Sequence, residues 1–245
     1  MNKATLIVEF VGLPGVGKST LSHRVAEELR KDFANVEEPS FIASHRHGRI
    51  SQALKTYGLA LKTIIMHPAF SLNSIQTIWN SEQRSFSEAK NMIINWLYVS
   101  ASSRRASNIS GLHVLDQGSI QAIWSVAMRA GSQNWISLMD LLIMNYNCRV
   151  IVVWVSAQIP TVVRRMKNRE RKQSRFDRLS NDEVLSTMKR GGELLNLIIT
   201  EFDQRAIQEN TFSQVLIDND KDDSIESQIQ KVIVEINEIS VTSDG

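Results

Sequence analysis

Cysteine is nearly absent: Cys148 stands alone in 245 residues. A single thiol cannot close an internal disulfide or build a cysteine-based zinc site, and it suits a cytoplasmic compartment. Long apolar runs are missing as well. The longest, such as Val150-Ile151-Val152-Val153-Trp154-Val155, fall far short of the roughly 20 residues a membrane helix needs, so no membrane partner is expected. Met1-Asn2-Lys3-Ala4 leads directly into an apolar strand, and no signal or transit peptide is expected. There is no low-complexity tract, internal repeat or dividing linker, so residues 1–245 read as one domain. The net charge of +2 gives no global field of the kind that coats nucleic acid.

What is present is more informative. Gly12-Leu13-Pro14-Gly15-Val16-Gly17-Lys18-Ser19-Thr20 follows the apolar run Thr5–Val11 and leads into an amphipathic stretch from Leu21 to Leu29. A strand, a glycine-rich turn and a helix opening on Lys-Ser form the phosphate-binding loop pattern G-x-x-x-x-G-K-[ST]. Glycines let successive amides curl around an anion, and the helix start adds its dipole. Lys18 would reach the β- and γ-phosphates, and the Ser19 hydroxyl would be a ligand of Mg²⁺. Nucleotide binding follows from the loop Gly12–Thr20.

Downstream, apolar runs alternate with helical periodicity. Strands are expected at Asn35–Glu38, Leu112–Asp116, Arg149–Ser156 and Val215–Asp218. Helices are expected over 18–31, 50–67, 81–109, 119–130, 132–146, 180–210 and 223–239. Residues 69–81 are ambiguous, and 48–82 reads as a helical insertion on the acceptor side. Ser132 is placed as a helix cap, and Ser180 with Glu183 as a capping box. The fold class is α/β, a mostly parallel five-stranded sheet with helices on both faces. Ligands in such sheets gather at the carboxyl ends of the strands.

Three features join the loop at that edge. Asp116 closes the apolar strand Leu112–Asp116, the layout that holds Mg²⁺ opposite a phosphate loop, although a strand-end Asp can equally cap a helix. Its neighbours are Gln117-Gly118, so the second carboxylate that activates water in motor ATPases is missing. The D-x-x-G and N-K-x-D patterns of GTPases are missing too; Asn219-Asp220-Lys221-Asp222 has the wrong order. Glu38-Pro39 ends the second strand, and if that strand neighbours the loop strand, Glu38 faces the γ-phosphate as a general base; a plain charged loop end is the alternative. The stretch from Arg164 to Arg178 holds eight basic residues against Glu170 and Asp177. That makes it +6 in a +2 chain, leaving −4 elsewhere. Within this 164–178 segment Arg165, Arg169 and Arg171 could close over a transferring phosphoryl group. A solvated basic surface is the alternative. A nucleic-acid patch is disfavoured because only Phe176 offers a stacking ring nearby.

Taken together, these motifs resemble the deoxynucleoside kinase and thymidylate kinase group of P-loop kinases. Gly12–Thr20 resembles their phosphate loop, Glu38-Pro39 their Glu-Pro after the second strand, and Arg165-x-x-x-Arg169-x-Arg171 their arginine-bearing lid. The resemblance covers roughly residues 5–238. It implies ATP with Mg²⁺, a P-loop NTPase fold, a closing lid, often a homodimer, and Glu38 as base for a sugar hydroxyl. One departure stands out: Gln117 occupies the position where the group carries an arginine after the strand-three carboxylate.

The acceptor side is therefore the open part of the reading. Trp79, Arg84, Gln117 and Gln121 are the candidate pocket residues, with Trp79 able to stack on a planar group. A nucleoside or nucleotide acceptor leads. A sugar or antibiotic acceptor, a non-catalytic nucleotide-binding regulator and a polynucleotide-directed role remain alternatives.

Overall fold

The residues Thr5–Val11 alternate side chains to two covered faces, and from Leu6 to Val11 every one is buried. They form β1, the middle strand of the sheet. In the computed structural model, which describes residues 5–38, 49–144, 146–168, 181–206, 212–220 and 225–241, the chain continues into α1 (Lys18–Asp32), β2 (Val36–Glu37), α2 (Arg49–Met66), α3 (Pro68–Asn80) and α4 (Phe86–Ser107). Next come β3 (Gly111–Leu115), α5 (Ser119–Ala127), a 3₁₀ turn at Asn134–Ile136, α6 (Ser137–Ile143) and β4 (Arg149–Ser156). The last elements are α7 (Ile159–Lys167), α8 (Asn181–Ala206), β5 (Phe212–Asp218) and α9 (Ile225–Val241). The five strands run parallel in the order β2-β3-β1-β4-β5. Helices α1 and α9 pack together, and α4, α5 and α8 form a second packed set.

Strand order corrects one premise. β2 pairs with β3, Val36 opposite Leu112 and Glu37 opposite His113, so β3 stands between β2 and the loop strand. Leu112 N donates to Asn35 O at 3.0 Å. Gly111 permits this approach, because at φ 135° a Cβ there would meet Asn35 O at 2.9 Å. A two-residue strand carries too little pattern to reveal its neighbour.

Helix ends also differ from the periodicity. The 69–81 stretch is the regular helix α3, started by Pro68. The next helix begins at Phe86 rather than Ser81. Ser81 ends α3, Glu82 takes a left-handed φ of 58°, and Ser85 Oγ accepts from Glu88 N at 3.2 Å as the new cap. α5 stops at Ala127, and the expected helix over 132–146 is split into a 3₁₀ turn and α6. Ser132 Oγ accepts from Asn134 N at 3.5 Å, a long capping bond at the start of the 3₁₀ turn, and its hydroxyl donates to Asn80 O at 3.1 Å, tying this corner to the end of α3. β5 starts at Phe212, earlier than its apolar core suggests, because Phe212 packs edge-on against Phe202 and Tyr146. Ser180 of the expected capping box lies outside the described residues.

The core spans both faces of the sheet. Trp96 and Trp135 are among its largest fully buried side chains, and Trp96 Nε1 donates to Ser74 Oγ at 2.9 Å, locking α4 to α3. Cys148 is buried and its thiol is pushed up to about 12 by that burial. Among the described residues no helix is long and apolar enough to cross a membrane. Replacing Trp96 by Ala removes a full indole and its hydrogen bond. The unfolding free energy should fall by about 3–5 kcal/mol, measured by urea titration followed by circular dichroism.

Candidate nucleotide site

Between β1 and α1 the chain must turn sharply, and glycines make the turn. Gly12, at φ 158°, lies so close to Val155 O that any Cβ would collide with it. Gly17, at φ 100°, sits directly before α1, and a Cβ there would come within 2.6 Å of Asn219 Nδ2. The glycines at these positions are therefore required by space as well as by conformation. Pro14 and Val16 complete the turn, with Val16 buried in the core, and Thr20 lies exposed on the first turn of α1. Lys18 Nζ donates to the carbonyls of Gly12 at 2.6 Å and Leu13 at 3.0 Å, folding its ammonium back over the loop.

Ser19 and Asp116, 97 positions apart, meet here. Ser19 Oγ donates to Asp116 Oδ2 at 3.0 Å. A hydroxyl and a carboxylate oxygen at this spacing beside the loop are the hard oxygen donors that suit Mg²⁺. The pair fits the expectation for the metal, and Gly12–Thr20 fits a polyphosphate.

Three residues fix the loop from outside. Gln121 Oε1 accepts from Gly12 N at 3.2 Å, so this buried side chain is a support of the phosphate loop. Asn219 Nδ2 donates to Val16 O at 2.5 Å, and Asn219 N donates to Ser156 O at 2.9 Å. Arg165 donates to Val16 O at 3.3 Å and Asn219 O at 3.0 Å, so its guanidinium braces the loop's outer side. Arg169 and Arg171 lie outside the described residues.

Glu38 is buried, and its carboxylate is held by α1. His23 Nδ1 lies 3.1 Å from Oε2, and Arg30 donates to the same oxygen at 3.3 Å. His23 and Arg30 are seven residues apart and so share one face of α1. The remaining candidates separate. Gln117 is exposed behind Asp116. Trp79 and Arg84 belong to the corner between α3 and α4, where the exposed Trp79 ring meets Phe86 edge-on at 5.9 Å and Arg84 lies in the field of Arg129. Sequence reasoning missed His23, Arg30 and Asn219 as partners of the site. The helical spacing of His23 and Arg30 was the one available signal.

Under the loop lies a group the motifs do not contain. Glu9 on β1 is fully buried, and its Oε1 accepts from Ile120 N at 2.6 Å at the start of α5. Burial pushes its carboxyl up to about 7, and the amides of Ile120, Ser119 and Gln121 offset part of that rise. Gly118 is required beside it, since a Cβ there would overlap the Glu9 carboxyl.

The model of an AAA-domain family matches residues 7–195. The chain belongs to this AAA-domain family. Among solved structures, this family member is similar to deoxyadenosine kinase from M. mycoides with dCMP and dCDP bound. The identity is 15%, the TM-score 0.54, and the match covers 95% of this chain and 99% of that one. It is also similar to thymidylate kinase from Candida albicans, with 13% identity, a TM-score of 0.50 and coverage of 99% and 93%. No curated protein matches the chain. The AAA-domain chain thus has a P-loop NTPase fold of the kinase-like kind, with a nucleotide-binding loop.

The folded protein holds the Glu9 proton more tightly than the unfolded chain does. That contribution is complete below the ordinary carboxylate value and is lost as pH rises through about 7. Between pH 5 and pH 8 the wild-type protein should therefore lose stability relative to Glu9→Gln, by on the order of 3 kcal/mol, in paired urea titrations.

Proposed function

We propose that the chain is an ATP-dependent phosphotransferase that moves the γ-phosphoryl group to a hydroxyl of a small molecule, with a nucleoside or nucleotide as the acceptor class. The observation that carries this reading is the Ser19–Asp116 pair beside the glycine cradle, with Gln117 where a hydrolytic site would place a second acid. A site with donor-phosphate ligands and no water-activating carboxylate favours transfer to a bound acceptor.

In this reading the amides of Gly12–Thr20 and Lys18 hold the β- and γ-phosphates, and Ser19 and Asp116 would hold Mg²⁺. The metal would neutralise charge on the phosphate oxygens. Glu38 takes the proton of the acceptor hydroxyl, oriented by His23 and Arg30. Arg169 and Arg171 supply positive charge over the transferring group, and Arg165 keeps the loop in shape for it. Trp79, Arg84 and Gln117 are the proposed acceptor-side contacts, with Trp79 offering a planar face to a base. The two similar kinases, which bear nucleoside and nucleotide names, support that acceptor class at the level of fold. The lone buried thiol supports a cytoplasmic setting.

One observation favours a second reading, a nucleotide-binding regulator without chemistry: Glu38 and Arg165 are both engaged by the protein itself. A kinase of a sugar or antibiotic would use the same donor half. Incubation with labelled ATP and a panel of nucleosides, nucleotides and sugars decides among them. Transfer to a nucleoside or nucleotide is expected; transfer to none, with ATP binding intact, rejects the enzyme. Lys18→Ala should weaken ATP binding at least about a hundredfold, through the loss of charge-assisted hydrogen bonds. Glu38→Gln should instead lower kcat by about 10²–10⁴-fold with ATP affinity unchanged.

A further inference from the structure

Helix α2 covers small and polar residues and leaves large apolar ones outside. Thr56, Leu59, Ala60 and Thr63, spaced i, i+3, i+4, i+7, form its inward side, and Ala60 and Thr63 are buried. Leu54, Tyr57, Leu61, Ile64 and Ile65 point outward, each between 39 and 70% exposed. At 3.6 residues per turn these five fall on one arc about 100° wide. Single exposed apolar residues need no explanation, but a contiguous row of large ones marks a binding surface. Charge narrows what it binds. Residues 39–81 contain no Asp or Glu, against 26 in the whole chain, and they include Arg46, Arg49, Lys55 and Lys62. The stretch is +4 in a +2 chain, leaving −2 elsewhere. On α2 itself Lys55 and Lys62, seven residues apart and both exposed, line one flank of the apolar arc.

We propose that this face of α2 lies on an anionic lipid surface, with Leu54, Leu61, Ile64 and Ile65 among the acyl chains and Lys55 and Lys62 against the headgroup phosphates. An apolar arc bordered by cations is the pattern of a helix that lies in the plane of a membrane interface. Such a helix needs no spanning length, so the shortness of the apolar runs does not bear on it. The lysine stems can follow the apolar row while their ammonium groups stay at headgroup level. Tyr57, near the other edge of the arc, joins an apolar ring to a hydroxyl that suits the same depth. A second copy of the chain matches this face less well. Pairing α2 with α2 or with α3 would bring no carboxylate to Lys55 and Lys62, since neither helix contains an acid. An anionic headgroup layer supplies that charge, and the acyl region beneath it accepts the arc. The inference stands apart from the phosphotransfer reading, since it concerns a face that carries none of the loop's residues.

Cosedimentation of the full chain with vesicles tests it. Phosphatidylcholine vesicles containing about one-third phosphatidylserine should carry down the wild type, and salt well above about 0.15 M should weaken the binding. Lys55→Ala combined with Lys62→Ala should raise the vesicle dissociation constant about thirtyfold, at roughly fivefold per lysine. Leu61→Glu should raise it more than about a hundredfold, because a carboxylate in the arc must leave water and also meets like charge. Met144→Glu, at a site 80% exposed just past α6, should bind as the wild type does. Unchanged circular dichroism in each variant separates loss of binding from loss of fold. A wild type that stays in the supernatant, binding that survives Leu61→Glu, or equal loss with Met144→Glu overturns the proposal. So does a dimer, seen by sedimentation velocity without lipid, that Leu61→Glu dissociates; that result assigns the face to a second copy.

Discussion

Placing a carboxylate at the centre of a parallel sheet costs several kcal/mol if it stays charged, and the architecture around the loop depends on how that cost is met. Glu9 meets it with the Ile120 amide at the start of α5 and with a raised proton affinity. The bond fixes where α5 leaves the sheet. Two residues of α5 then reach neighbouring elements: Gln121 takes the amide of Gly12, and Trp124 Nε1 donates to Gly191 O at 2.8 Å on α8. Leu13 of the loop packs near Gly191, where a Cβ would already lie 3.1 Å from its side chain. Strand, loop and two helices are thus held in register from a single buried acid.

The phosphate loop is held in shape by the protein's own groups. Its carbonyls at Gly12, Leu13 and Val16 are taken by Lys18, Asn219 and Arg165, and its Gly12 amide by Gln121. Fixing a loop in its binding shape lowers the entropy lost on binding. Lys18 serves two purposes in turn, since the ammonium that closes over loop carbonyls is the one assigned to phosphate.

How much of this was legible in the sequence depends on distance along the chain. The loop and its flanking strand and helix are contiguous, and their chemistry is local, so Gly12–Thr20 could be read outright. Asp116 was legible because ligands gather where the strands of a parallel sheet end, while its hydrogen bond with Ser19 came only with the structure. Gln121 and Asn219 reach the loop from 109 and 203 residues away. No local pattern marks such a bond, and Gln121 was assigned to the acceptor instead. Glu38 was found as a residue but not with its partners, because a two-residue edge strand does not announce its place in the sheet. Helix ends failed where capping overrode periodicity, at Ser85 and around Ser132. Glu9 was invisible because an acid in an apolar strand looks like an interruption of the strand until its partner is known.

Cys148 has a practical consequence of another kind. Thiol reagents attack the thiolate, and a buried sulfur whose proton affinity is pushed up to about 12 offers almost none at neutral pH. The natural sequence is therefore a silent background for cysteine labelling. A dye or spin label attached at one introduced surface cysteine reports from that position alone, so movements around the nucleotide loop can be followed without first removing a native thiol.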